Sequence, residues 1–402
     1  MLSVNESSTT STRRIVDFKV DNSPPDIPSN YSNAIPQDLE FETLFNFDFE
    51  GQRDVLISKN QVKKAGRKIR KNEGDLKDAR SKIQLFRAEH KKPLEYIVRI
   101  VSRYSSEDTQ VVARLKRLDT IIDKLTRPSL DGINENKTCV TNMNDIGGCR
   151  AIFESIECLY TALGHIKIIV DRLPNIKIKD IDNYIEKPKG NDCGYRSLHV
   201  IFEFETLNKT LKIEAQLRTR AQHLWATTVE VIDLIERVKI KTLSHRPNSE
   251  KNRNQVHWEE LLSLMSEVIS GNEGCRKLTD TRRVEIKNKL KYLNNKVKAI
   301  NKLRSFKLVS EKINSKINYK NSYYIVVIGL EKGSIKVIAE QAYDNEHKAM
   351  LIYNNIEQVV SSMDNTNTLM VATKDISSLG DAYPNYLGDC QAFIEILHEA
   401  MV

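Results

Sequence analysis

The stretch TLKIEAQLR, Thr210 to Arg218, alternates without a break between apolar and polar residues. Side chains on a strand point to opposite faces in turn, so Leu211, Ile213, Ala215 and Leu217 take one face and Lys212, Glu214, Gln216 and Arg218 the other. A segment of this kind requires a sheet with one buried face, and it lines four polar groups up on the opposite side. The preceding run, His199 to Glu205, has the same character and is joined to it by a short turn around Leu207, Asn208 and Lys209, which predicts a hairpin. A long helix capped by Thr219 is expected next, carrying His223, Trp225 and Glu230 in its first turns.

The remaining chain is organised around this unit. Residues 1–50 are rich in Ser, Thr, Asn and Pro and read as a disordered arm. Order is expected from Ser58, where Ser58 and Gln61 form a capping-box pattern before a basic helix. Ala79 to Arg87 and Pro93 to Tyr104 continue in helical register. From Gln110 the residues Val111, Val112, Leu115, Leu118, Ile121, Ile122 and Leu125 recur at helical spacing and predict one amphipathic helix, with Lys116, Arg117, Thr120, Lys124 and Arg127 on its basic face. Asn144-Asp145 then reads as a turn feeding Gly147-Gly148 and a strand, followed by a helix over Cys158 to Val170. The expected divisions are an arm over 1–50, a first domain over 51–240, and a helical extension over 241–320 that includes one basic helix from Asp280 to Ser315. A small C-terminal α+β domain of order ββαβα completes the chain over 321–402.

At 402 residues two or three domains are expected. The net charge of +8, from 62 Lys and Arg against 54 Asp and Glu, makes phosphate-rich partners plausible without requiring them. The six cysteines contain no CxxC pair, which argues against a thiolate zinc site and fits a reducing cytosol. With no apolar run of about 18 residues and no N-terminal apolar core, neither a membrane span nor a signal peptide is expected, and the reading is cytoplasmic.

Asp145 before its Gly-Gly turn and Glu214 on the polar strand face are hard to explain as packing. With Arg114, Lys116, Lys124 and Arg150 in the same domain, they suit a magnesium-nucleotide site, where Mg²⁺ takes one or two carboxylates plus phosphate oxygens. Spacing alone leaves the ordinary alternatives open: solvated acids and cations, a satisfied His199, an Arg218 engaged in a structural ion pair, and Trp225 in the core. The loop KPKGNDCGYRSLHV, Lys187 to Val200, adds a flat ring at Tyr195 among the cations Lys187, Lys189 and Arg196.

Taken together, four blocks resemble the RelA/SpoT-type pyrophosphokinases. RLKRLDTIIDK is similar to their R-x-K-x-x-x-S-x-x-x-K segment with Thr120 for serine, NDIGGCR to their metal-aspartate segment, KPKGNDCGYRSLH to their acceptor loop, and EAQLRTRAQHLWA to their E-x-Q-x-R-T segment. The resemblance spans about Lys59 to Glu236. It implies an α+β fold, the RelA/SpoT synthetase (nucleotidyltransferase-like) mixed sheet flanked by helices. It also implies transfer of the β,γ-pyrophosphate of ATP to a ribose 3′-hydroxyl. In that reading Asp145 and Glu214 hold Mg²⁺ and Glu214 assists deprotonation. Arg114 stacks on adenine, while Lys116, Lys124 and Arg150 steady the triphosphate. Tyr195 stacks on the acceptor base, His199 supports the loop, and Lys187, Lys189 and Arg196 meet acceptor phosphates.

Within that family the chain is most similar to the CapRel-like fused toxin–antitoxin proteins. The similar segments are the lead-in from Ser58 through KNQVKKAG to RAEHKKPL, the segment QHLWATTVE, and a tail with a Y-x-x-Y at Tyr383 and Tyr386. This implies a tRNA 3′-CCA acceptor, a C-terminal domain whose tyrosines plug the ATP site, and release by a phage capsid-type protein. A monomer is favoured. The alternatives are a GDP or GTP acceptor yielding the alarmone (p)ppGpp, and a non-catalytic RNA-binding module. A hydrolase is not expected, since the chain has no His-Asp dipeptide.

Overall fold

A computed structural model describes residues 57–105, 109–126, 138–188, 194–206, 209–236, 238, 240, 251, 253–315, 323–331, 334–360, 363, 366–372 and 386–402; the arm over 1–50 lies outside them. They belong to one compact unit, Leu56–Val402.

Three helices open the unit: α1 (Lys59–Lys71), α2 (Leu76–Glu89) and α3 (Lys91–Arg103). The Ser58 box forms as expected. Ser58 Oγ accepts from the Gln61 amide at 3.3 Å, and the Gln61 side chain accepts from the Ser58 amide at 2.9 Å. Two backbone donors that a helix start would otherwise leave unpaired are thereby satisfied.

A five-stranded sheet follows, in the order β1-β2-β5-β4-β3, built from β1 (Gln110–Leu115), β2 (Gly147–Phe153), β3 (Ile176–Asn183), β4 (Leu198–Glu205) and β5 (Thr210–Thr219). Only β2 and β5 run parallel; the other neighbours are antiparallel, so the sheet is mixed. On one face Ile213, Ala215 and Leu217 join Val200, Phe202, Ala151 and Phe153 in a core closed by Leu94, Ile97 and Val101 of α3 and by Leu159, Leu163 and Ile166 of α5 (Ile156–Val170). The alternation read in Thr210–Arg218 is therefore the physical origin of the sheet's two faces.

One expectation fails at the edge of this sheet. Gln110 to Leu125 is not one helix: Gln110–Leu115 is strand β1, and the helix α4 begins only at Leu118 and ends at Thr126. The apolar spacing misleads because Val112 is 43% exposed and Val111 and Leu115 are only half-buried, whereas Ile121 and Leu125 are fully buried. Two adjacent β-branched valines suit an edge strand, and the ladder to β2 is prolonged when the Lys116 amide donates to Ile146 O at 2.8 Å. β3 was not anticipated. The expected basic helix over Asp280 to Ser315 is two helices, α8 (Asp280–Val297) and α9 (Ala299–Ser315), parted at Lys298, which takes a left-handed φ of 54°.

After β5 come α6 (Arg220–Glu236) and α7 (Arg253–Asn272). Thr219 caps α6, its Oγ1 accepting from the Gln222 amide at 3.2 Å. The C-terminal residues form an antiparallel sheet of order β7-β6-β8 from β6 (Tyr323–Glu331), β7 (Ser334–Tyr343) and β8 (Thr366–Ala372), with α10 (Glu346–Val360) and α11 (Tyr386–Met401). α10 packs on that sheet through Ala349, Ile325 and Met370. α11 instead enters the large helical core, where Cys390, Phe393, Ile394 and Leu397 are buried with Leu224, Val231, Leu261, Leu290 and Phe306. Phe393→Ala should therefore destabilise the whole unit by about 3–5 kcal/mol, read as a shift of one cooperative urea transition. A separate, early-melting C-terminal transition would contradict this packing.

Candidate active site

The polar face of the sheet is assembled by register. Arg114 on β1 lies opposite Gly148 on β2, which lies opposite Glu214 on β5; one step along, Val112, Arg150, Gln216 and His199 form the next row. Gly148 makes room for this: a Cβ there would lie 3.2 Å from the Glu214 carbonyl oxygen. A cleft of about 120 Å³ is lined by Val112, Arg114, Lys116, Asp145, Gly148, Cys149, Arg150, Glu214 and Gln216. Sites that enclose a ligand measure roughly 300–1,000 Å³, so a nucleotide would lie across this cleft rather than within it.

Asp145 sits in the turn that leads into β2, and two lysines converge on it. Lys116 Nζ donates to Oδ2 at 2.8 Å, and Lys124 Nζ lies 3.1 Å from Oδ1 and 3.2 Å from Oδ2. Burial alone would raise the Asp145 pKa, yet the two ammonium groups outweigh it and hold the carboxyl below its ordinary value. Lys116 leaves the end of β1 and Lys124 the last turn of α4, so the strand-to-helix break that the sequence concealed is what aims both at one carboxylate.

Glu214 has a different partner. His199 Nδ1 lies 3.0 Å from Glu214 Oε1, and Gln216 Nε2 donates to Glu214 Oε2 at 3.0 Å. Burial tends to raise the Glu214 pKa, and so does the Asp145 charge; the His199 contact overcomes both, and the result is lowered. His199, 6% exposed, is pushed down by burial but held above its ordinary value by Glu214 and Tyr195. Its Nε2 is 2.8 Å from the Tyr195 hydroxyl, which also accepts from Arg218 at 2.7 Å. A protonated His199 thus donates from both ring nitrogens, and the chain Glu214, His199, Tyr195, Arg218 is continuous. Arg218 also lies over the Tyr195 ring at 5.2 Å and donates to Gln216 Oε1 at 2.7 Å, fixing the ring from a second direction.

Among the expected residues, Asp145, Glu214, Arg114, Lys116 and Arg150 are brought to one cleft, Lys124 reaches it through Asp145, and Tyr195 and His199 join it through Glu214. Lys187 is exposed on the loop leaving β3. Lys189 and Tyr383 lie outside the described residues, and of Tyr386 only its backbone place at the start of α11 is described. Arg196 is a correction. It is 8% exposed, and its guanidinium is spent on Ser266 Oγ at 2.9 Å and on the Ile185 carbonyl, so the acceptor-phosphate contact expected of it is unavailable in this arrangement. Trp225 is core, its Nε1 donating to Leu262 O at 2.8 Å. Gln216 and Arg218 were missed as site residues although the alternation places both on Glu214's face. Among the described residues no group of three or more His, Cys, Asp or Glu side chains could hold a metal. Two carboxylates without a third protein ligand suit a Mg²⁺ ion that arrives on a triphosphate and takes its remaining ligands from phosphate and water.

Residues 113–232 match the family described as a region found in RelA / SpoT proteins. The chain carries a RelA/SpoT region. The match covers every residue that lines the cleft except Val112. Among solved structures, small alarmone synthetase 2 from Bacillus subtilis is similar at 22% identity over 47% of this chain and 92% of that chain, with a TM-score of 0.33. Small alarmone synthetase 1 from Bacillus subtilis, bound to its product pppGpp, is similar at 21% over 48% and 95%, with a TM-score of 0.32. A GTP pyrophosphokinase family protein from Streptococcus pneumoniae is similar at 20% over 46% and 84%, with a TM-score of 0.30. No curated protein matches the chain. Among the described residues no helix is long and apolar enough to cross a membrane.

The Glu214–His199 pair has a defined pH window. Because His199 is raised, its contribution to stability is complete below the ordinary histidine value and lost as pH rises through the raised one. Because Glu214 is lowered, its contribution is complete above the ordinary carboxylate value and lost as pH falls through the lowered one. Both are intact between about pH 4.3 and 6.5. Glu214→Gln should move the His199 titration downward, measured by imidazole NMR. An unchanged titration would remove Glu214 as its partner.

Proposed function

We propose that the chain is an autoinhibited pyrophosphokinase that moves the β,γ-pyrophosphate of ATP to the 3′-hydroxyl at the CCA end of tRNA. The observation that carries the transfer is the convergence of Asp145 and Glu214 on a cleft lined by Lys116, Arg114 and Arg150. In the reaction the acceptor O3′ bonds to the β-phosphorus, the bond from that phosphorus to the α,β-bridging oxygen breaks, and AMP leaves. Glu214 takes the hydroxyl proton; its lowered pKa keeps it ionised, though a weaker base than an ordinary carboxylate. Mg²⁺, held by Asp145 and Glu214 with phosphate oxygens, would neutralise phosphate charge. Lys116, Lys124 and Arg150 supply fixed positive charge around the triphosphate, and Lys116 and Lys124 must exchange Asp145 for phosphate when ATP enters. Arg114, exposed on the edge strand, is free to stack on adenine. Tyr195 is oriented by His199 and Arg218 to meet the acceptor base.

A tRNA acceptor is favoured by α1. The helix contains no acidic residue, and Lys59, Lys63, Lys64, Arg67 and Lys71 are exposed, while Val62, Ala65 and Ile69 pack against Ile121 and Leu125 of α4 and Met143 and Ile146 beside Asp145. A row of five cations next to the transfer site suits a phosphodiester backbone far better than a single nucleotide needs.

Autoinhibition by the C-terminal region, with Tyr383 and Tyr386 as the blocking residues and a phage capsid-type protein as the trigger, is supported by the seat of α11. Asp389, 1% exposed, lies 3.2 Å from Arg220 and 3.1 Å from His223, both on the helix that directly follows Arg218 and Thr219. Going from about 99% closed to 99% open needs roughly 5.5 kcal/mol of preferential trigger binding, within the range of a protein interface.

With ATP labelled on the γ-phosphate and the chain released by Tyr383→Ala and Tyr386→Ala, label should appear on bulk tRNA; label in a guanosine polyphosphate would replace the acceptor with GDP or GTP. Glu214→Ala should reduce transfer by about 10²–10⁴-fold with folding intact. Joint replacement of Tyr383 and Tyr386 by alanine should make expression toxic without phage, and harmless expression of the folded double variant would count against autoinhibition.

A further inference from the structure

The loop that presents Tyr195 is fastened from outside residues 113–232. Ser266, on α7 and 2% exposed, donates from Oγ to the Gly194 carbonyl at 2.5 Å and accepts from Arg196 Nε at 2.9 Å. One hydroxyl therefore ties down the residues on both sides of Tyr195. The second arm of Arg196 reaches the Ile185 carbonyl, which fixes the loop's other limb. Gly194 holds a φ of +80°, and a Cβ on it would fall 2.6 Å from Ser266 Cβ, so loop and helix are in van der Waals contact at a point where only glycine fits. α7 is itself fixed to the RelA/SpoT region where Trp225 donates to the Leu262 carbonyl. The far end of the Tyr195 side chain is held by His199 and Arg218.

These contacts divide the task of holding Tyr195. His199 and Arg218 fix where the hydroxyl points; Ser266 fixes where the backbone starts. We propose that Ser266 is a positioning residue for acceptor binding: through Gly194 and Arg196 it sets the backbone that carries Tyr195, so the helical extension determines how the acceptor base is presented. This rests on the pyrophosphokinase reading above. Asp145 lies in the turn before β2, Lys116 just after β1 and Lys124 on α4, so this part of the ATP side is carried by elements other than those that form the anchor. A ring displaced by about an ångström would still pack but would no longer meet its base squarely.

The test uses the full-length chain released by Tyr383→Ala and Tyr386→Ala, with and without Ser266→Ala, and labelled ATP with, in separate assays, bulk tRNA and GDP as acceptors. Loss of a buried hydroxyl that serves two partners should raise the acceptor KM about tenfold, leaving the ATP KM within about twofold. Gly194→Ala, which crowds the same contact from the other side, should act in the same direction. A purely structural role would weaken both substrates alike, and that result, or an unchanged acceptor KM, overturns the proposal. Amide hydrogen exchange on the same proteins gives a readout independent of turnover. The amides of 194–199 should exchange faster in Ser266→Ala, with those of β2 unchanged. If the Tyr383→Ala, Tyr386→Ala chain with Ser266 intact labels neither acceptor, the pyrophosphokinase reading fails while exchange still decides the anchor: faster exchange supports it and unchanged exchange overturns it.

Discussion

A carboxylate in the middle of a sheet is costly unless a cation or donor is built in beside it, and the Glu214–His199 contact meets that requirement here. The other features of the site follow from it. For His199 to reach Glu214 from the next strand, β4 and β5 must pair in the observed register, with His199 opposite Gln216 and one pleat from Glu214. For the ring to stay charged, its second nitrogen needs an acceptor, which Tyr195 provides. For Tyr195 to remain there it needs Arg218 on its face and an anchored backbone behind it. Glu214 and the Tyr195 loop are thus one hydrogen-bonded object, whereas Asp145 and its lysines form a second, held by different elements. On the proposed pyrophosphokinase reading, two separately supported halves are a sensible arrangement for a reaction that joins two substrates.

What the sequence disclosed and what it withheld divide along physical lines. Strict alternation in Thr210–Arg218 was sufficient to place Glu214 and Gln216 on one face, because strand periodicity is a local property. The Ser58–Gln61 box and the Thr219 cap were legible for the same reason: a cap is completed within three residues. Val111 and Val112 were misread because a strand followed directly by a helix can mimic helical spacing, and only pairing with β2 distinguishes them. The split at Lys298 depends on one residue adopting a left-handed conformation, which a lysine does not advertise. Arg196 looked like a phosphate ligand by its charge and neighbours, and its burial against Ser266 depends on a helix 70 residues away. Ser266 itself carries no local signal of any kind; its role exists only in the folded chain.

The boundary of the RelA/SpoT region also has a physical meaning. Residues 113–232 contain the cleft but not what closes its surroundings. The α1 and α2 residues that pack behind Lys124 precede it, and α7, α8, α9 and α11, which share a core with α6, follow it. The matched segment is the cleft-bearing part of a larger folding unit rather than a domain with its own complete core.

That arrangement ties the molecule to its order of synthesis. α11 leaves the ribosome after every helix it covers, and the apolar face it covers, including Leu224, Val231 and Phe306, belongs to helices made much earlier. Until residue 397 or so has emerged, this surface is open to chaperones, to other nascent chains and to proteases. A chain interrupted before Phe393 and Leu397 would keep a greasy groove along α6 and α9, and quality control, rather than catalysis, would decide its fate.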